Sequence, residues 1–213
     1  MGRAKEITVK VIPSKVANKF VSLNHYSKGF VMNSVLHFGC FLDGQLHGVL
    51  QYGNSIDKRN CIGLVDTGQT VNEGWNSYVE LNRMAFDDYL PKYSESRCIA
   101  ISIKLIKRNA PQIKWILSYA DGTQCGDGTI YRASGFYLTG INKNSTMYRL
   151  KDGRVKAKHG TSKEDFSGAT KLEGNQLRYI YLVDKDCKIT VPILPFSKIE
   201  ELKAGMYKGK KRD

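Results

Sequence analysis

The 213 residues, 41% hydrophobic and 25% charged with a formal charge of +13, suffice for one domain with its own core and exclude a low-complexity or disordered chain. No apolar run approaches the roughly 20 residues a membrane span needs, and the opening MGRAKEITVKV enters an alternating pattern with no apolar signal region, so a soluble, cytoplasmic chain without a membrane partner is expected. Five cysteines without a C-x-x-C pair argue against a disulfide scaffold or structural zinc site. Residues 142–213 hold 17 Lys/Arg against 9 Asp/Glu, a concentration of positive charge that suits a polyanionic partner.

Ile7 to Ile12 alternates as a strand does and stops at Pro13, after which Ser14 can cap a helix carried by Val16, Phe20 and Leu23. Ser34 to Leu42 and Gln45 to Tyr52 flank Asp43-Gly44, a strong hairpin signal. Residues 54–74 read as a long loop with a short strand at Cys61 to Val65. Tyr78 to Phe86 alternates again, Ser94 to Asn109 has helical spacing through Ile99, Ile103 and Ile106, and Ile113 to Ala120 is a continuous apolar run of the kind a buried central strand shows. The loop DGTQCGDG leads into a short helix, TIYRAS, and Gly135 opens a strand from Phe136 to Ile141. A basic, irregular stretch follows, with a last strand at Leu177 to Val183. The order predicts an α/β fold, a mixed sheet with helices on both faces.

RMAF on a strand, a helix soon after it, and IYRASGF before another strand resemble the Gcn5-related N-acetyltransferase (GNAT) superfamily. More specifically, LNHYSKG (23–29), LNRMAFDDYLPKYSESR (81–97) and WILSYADGTQCGDGTIYRASGF (115–136) are similar to the Mom-type phage DNA modification proteins, a divergent branch of that fold. The resemblance implies a mostly antiparallel sheet with a basic C-terminal β extension, and a transferase converting adenine N6 in double-stranded DNA to a carbamoylmethyl-amine. It also implies acetyl-coenzyme A or another acyl or glycyl donor, and iron. Residues 1–195 are expected to form one domain with a basic insertion at about 143–175, and 196–213 a basic tail. The alternatives are an ordinary acyl-coenzyme A dependent N-acetyltransferase and a DNA-binding module on a decayed GNAT scaffold.

Ser96, at the start of the main helix, and Asp121, at the end of the central strand, fall where an open α/β sheet borders a crevice, and the resemblance makes both catalytic candidates. Tyr26 joins them as a hydroxyl donor or stacking platform, and His25 with Tyr26 is the candidate metal pair, with Asp121 as a further ligand. Arg83 is expected to face the cleft, and Tyr131 to lie near the leaving group as GNAT relatives place a tyrosine. Ser94 and Arg97 belong to the turn Tyr93-Ser94-Glu95-Ser96-Arg97, which stands where the superfamily has a glycine-rich turn. Coenzyme A is therefore expected to bind there without the close pyrophosphate cradle that glycine permits. Lys143, Arg149, Lys151, Arg154, Lys156 and Lys158, with Lys151-Asp152-Gly153-Arg154 as a turn, are expected to form a hairpin that tracks phosphates.

Overall fold

The computed structural model describes residues 2–27, 29, 31–122, 126–143, 147–157, 166–207 and 210–211. In chain order its elements are β1 (Thr8–Val11), α1 (Ser14–Asn24), β2 (Ser34–Leu42), β3 (Gln45–Gly53), α2 (Lys58–Ile62), β4 (Val65–Asp66), β5 (Tyr78–Phe86), α3 (Ser94–Asn109), β6 (Trp115–Asp121), α4 (Thr129–Ala133) and β7 (Tyr137–Lys143). Then come β8 (Met147–Arg149), β9 (Val155–Ala157), β10 (Thr170–Lys171), β11 (Asn175–Leu182), β12 (Lys188–Ile189), α5 (Ser197–Glu201), and paired short strands at Met206–Tyr207 and Lys210–Lys211.

Seven strands make the main sheet in the order β1-β2-β3-β5-β6-β11-β7. Every adjacent pair is antiparallel except β5 and β6. The hairpin of β2 and β3 turns at Asp43 and Gly44, whose φ angles of 51° and 77° suit the Asp-Gly pair, because two consecutive residues in the left-handed region match the strand twist.

The sheet is covered on both faces. On one, α3 lays Cys98, Ile99, Ile103 and Ile106 over Phe38, Leu50, Tyr52, Ile116 and Leu138, the spacing of a helix with one apolar stripe. Tyr52 brings its hydroxyl into that layer and shares a 2.6 Å hydrogen bond with Ser102 Oγ, so its burial leaves no unpaired group. On the other face α1 packs Ala17 and Val21 against Val49 and Ala85, while Leu64 and Val65 cover Tyr78, Trp115 and Leu117. The central strand β6 is therefore apolar on both sides, which is why its sequence runs without alternation.

Three expectations need correction. The strand expected at Cys61 to Val65 is instead α2 followed by the two-residue β4, because Asp57 accepts hydrogen bonds from the Asn60 backbone N–H and side chain and so starts a helical turn. Ser14 is the first residue of α1 and Pro13 takes the capping position, with no side-chain cap. Residues 196–204, expected as the beginning of a tail, are packed: Ile199 and Ala204 are buried in the main core with Phe196 against them. No described helix is long and apolar enough to cross a membrane.

Candidate active site

The parallel pairing of β5 with β6 runs from Tyr78 opposite Trp115 to Leu81 opposite Ser118 and stops there, although β5 continues to Phe86 and β6 to Asp121. Where the two strands part, a cavity of about 340 Å³ opens, within the size range of small-molecule sites. Its walls are Leu81 to Met84 of β5, Tyr119 to Asp121 of β6, Gly126 to Tyr131 leading into α4, and His25 and Tyr26 at the end of α1.

The break in β5 is a β-bulge. Leu81 pairs with Tyr52 and Arg83 with Gln51, so Asn82 is an extra residue without a partner on β3. The bulge reverses the alternation beyond it and puts Glu80 and Arg83 on one face of the strand. Burial pushes the Glu80 carboxyl above the ordinary carboxylate range, and the nearby Arg83 cation partly offsets this.

Four candidates from distant parts of the sequence meet here: His25, Tyr26, Arg83 and Asp121 all line the cavity. The Tyr26 hydroxyl donates to Asp121 Oδ2 at 3.3 Å, a contact across 95 positions that tertiary structure alone creates. The His25 and Tyr26 rings lie 4.2 Å apart. Tyr131, also in the lining, is buried against Phe136 and Tyr179.

His25 is buried, and burial first, then the Arg83 charge, pushes its pKa down to about 3. Its Nδ1 accepts from the Ser27 backbone N–H, which leaves the ring neutral with its proton on Nε2. The native state thus refuses a proton that the unfolded chain, with a pKa near 6.5, accepts. Stability is full above that pH and falls toward pH 3 by at most about 1.4 kcal/mol per pH unit. Thermal unfolding between about pH 7 and 4.5 should show the wild-type midpoint dropping faster than that of His25→Gln; parallel curves would refute the assignment.

The structure separates Ser96 from Asp121. Ser96, in the first turn of α3, donates its hydroxyl to the Tyr93 carbonyl and lines a second cavity of about 350 Å³ together with Lys5, Lys92, Arg97 and Lys104. Among the described residues no acidic side chain contributes to that lining. Arg97 also donates through Nη2 to the Lys5 carbonyl at 3.0 Å. Ser94 is fully buried and spends its hydroxyl on the Pro91 carbonyl, so it closes the turn and presents nothing to a ligand. Tyr93 takes φ 72°, the left-handed conformation that glycine adopts most readily. Tyr131 of α4 lines the first cavity, whereas Ala133 of α4 and Ser134 just after it line the second.

The candidate iron ligands His25, Tyr26 and Asp121 line one cavity, where the Tyr26 hydroxyl donates to Asp121 Oδ2 and Ser27 occupies Nδ1 of His25; among the described residues no three His, Cys, Asp or Glu side chains gather around a point. The basic hairpin is present: Tyr148 pairs with Lys156 and Arg149 with Val155, and β10 adds a third strand. Lys143, Arg149, Lys151 and Arg154 are exposed, although Arg154 forms an ion pair of 2.6 Å with Asp152. Lys158 lies outside the described residues.

Asn82 and Tyr119 are lining residues that the sequence reading missed. Asparagine is disfavoured in strands, so its presence inside YVELNRMAF was the available sign of a bulge.

The chain matches the Mom protein family over residues 6–198. It is 36% identical over 195 residues to the methylcarbamoylase Mom of Escherichia phage Mu, covering 85% of this chain and 78% of that one. Among solved structures it resembles an IAA acetyltransferase from Bacillus cereus, with a TM-score of 0.50, 12% identity, and coverage of 83% and 99% of the two chains. It also resembles the ribosomal-protein-S18-alanine N-acetyltransferase of Escherichia coli, with a TM-score of 0.48, 10% identity, and coverage of 84% and 94%. The acetyltransferase likeness is one of fold. Sequence and fold together place the chain in the Mom protein family, as a transferase built on the GNAT acetyltransferase fold.

Proposed function

We propose that this transferase modifies adenine at N6 in double-stranded DNA, adding a carbamoylmethyl group that protects phage DNA from host restriction. The observation that carries the reading is the Tyr26–Asp121 pair in the lining of the cavity between β5 and β6. The adenine N6 lone pair is delocalised into the ring, so bond formation at N6 needs a base to take one of its protons. Asp121 is that base: its carboxylate, one oxygen of which accepts from Tyr26, takes the N6 proton. In duplex DNA N6 is inside the stack, so the base is flipped into the cavity at a cost of a few kcal/mol, offset by phosphate contacts.

An acyl or glycyl donor bearing phosphates, such as acetyl-coenzyme A, suits the second cavity, where Lys5, Lys92, Arg97 and Lys104 would face its anionic end. Held there, it would supply the carbon unit to be joined to N6. In this reading the insertion at 143–175 contacts the DNA backbone.

Mass spectrometry of nucleosides from DNA of cells expressing the protein tests the reading: a modified deoxyadenosine of the carbamoylmethyl mass is expected, and unmodified deoxyadenosine alone would refute it. A salt titration tests the partner. Affinity for nonspecific duplex DNA should fall on the order of tenfold or more between about 50 and 200 mM salt. Replacing Lys143, Arg149 and Lys151 with Ala should lower the log–log slope by roughly two to three. An unchanged slope would remove the hairpin from the interface.

A further inference from the structure

Outside both cavities, three exposed side chains from distant parts of the chain meet at the carboxylate of Asp43. Arg3 Nη2 donates to both Asp43 oxygens, at 2.6 and 2.7 Å, and the Tyr89 hydroxyl donates to Asp43 Oδ2 at 2.7 Å. A lone exposed ion pair contributes little, whereas one built into a network of fixed groups holds its geometry. Each member here is fixed by its own surroundings. Asp43 sits in the tight turn between β2 and β3. The Tyr89 ring stacks on the buried His47 with centroids 4.2 Å apart, and its backbone N–H donates to Asp87 Oδ1 at 3.0 Å, while Asp87 Oδ2 lies 2.8 Å from His47 Nδ1. Arg3 is followed by Ala4, which is buried in the main core. Hydrogen bonds from Arg3 first, then from Tyr89, hold the Asp43 carboxyl below the ordinary carboxylate range.

The two outer partners belong to the segments that wall the second cavity. Lys5 stands just beyond Arg3 and Lys92 just beyond Tyr89, and both line that cavity together with Arg97 and Lys104. Cations gathered there with no acidic side chain in the described lining repel one another. The repulsion pushes the wall at Gly2 to Lys5 away from the wall at Lys92 and Tyr93. Asp43 is a joint that ties the two walls together from outside.

We propose that Arg3, Asp43 and Tyr89 are positioning residues, whose network braces the two lysine-bearing walls of the second cavity at the separation that suits a phosphate-bearing donor. This rests on the reading that the donor binds in that cavity. None of the three lines it, so the brace acts through Lys5 and Lys92. Simple electrostatics makes the opposite prediction for Asp43. Neutralising its carboxylate strengthens the positive field around the cavity and favours an anion, whereas loosening the walls disfavours it.

The test is calorimetric titration of the full-length protein with coenzyme A, whose phosphates supply the anionic end. Asp43→Asn preserves the turn, because asparagine before glycine adopts the same left-handed conformation. It should bind coenzyme A roughly three- to tenfold more weakly than wild type, the scale of one hydrogen bond, although it carries one negative charge fewer. Tyr89→Phe keeps the ring on His47 and the net charge, and should lose a similar factor. Affinity of both variants for nonspecific duplex DNA should stay as in wild type. Unchanged or tighter coenzyme A binding in Asp43→Asn, or unchanged binding in Tyr89→Phe, refutes the brace while the donor site stands. A parallel loss of DNA affinity shows a general loosening of the fold and refutes it too. If wild type itself does not bind coenzyme A, the second cavity is not the donor site and the brace falls with it. Tyr89→Phe decides the matter even if Asp43→Asn fails to fold.

Discussion

Asp121→Asn is expected to lower the modified deoxyadenosine in digested DNA by roughly a hundredfold or more, the scale of losing a general base. Asparagine keeps the size of the side chain and an oxygen that can still accept from Tyr26, so the contact between the end of α1 and the end of β6 survives. What disappears is the carboxylate that takes the N6 proton. The melting temperature should stay within a few degrees of wild type and DNA affinity within a few-fold. Near-normal modification in the variant would show that Asp121 is only a residue of the turn after β6. A collapse of stability together with activity would do the same.

Trp115→Ala should have the largest effect on stability. Trp115 is fully buried and stacks on Tyr78 with ring centroids 4.2 Å apart, and these two residues are also the first pair of the parallel β5–β6 ladder. Removing an indole from such a site costs about 3–5 kcal/mol, a fall of roughly 10 °C in the midpoint for a chain of this size. Trp115→Phe keeps an aromatic ring on Tyr78 and loses an indole N–H that is buried without a hydrogen-bond partner among the described residues, so it should lose markedly less. Because the ladder holds the strands together just before they part, the alanine variant should also bind DNA bases less selectively at temperatures where it is still folded. A midpoint within about 2 °C of wild type would contradict the packing described for this face.

Local patterns made most elements legible in the sequence. Asp43-Gly44 specifies a turn that few other dipeptides adopt, and the hairpin, β5 and α3 have the boundaries that alternation and helical spacing indicate. The site was legible only in part. Tyr26, Arg83 and Asp121, from distant parts of the sequence, share one cavity. Ser96 does not join them, because knowing that a helix starts near a crevice does not say on which side of α4 its first-turn side chains fall. Ser94 failed as a ligand contact because a turn without glycine must pair its own carbonyls, and Ser94 does so. Asn82 was invisible as a site residue because strict alternation gives a strand two faces and no place for an extra residue. Glu80 and Arg83 share a face only because the bulge breaks that rule.

The central claim is that the cavity between β5 and β6 receives the target base, and photo-crosslinking tests it most directly. A duplex carrying 8-azidoadenine at an extrahelical position is irradiated with the full-length protein, and the adducts are located by peptide mass spectrometry. The predicted adducts lie on the peptides that contain Tyr26, Asn82 to Met84, Tyr119 to Asp121 or Gly126 to Tyr131. Adducts confined to Lys92 to Lys104 of the second cavity, or to the basic hairpin at 147–157, would contradict the claim.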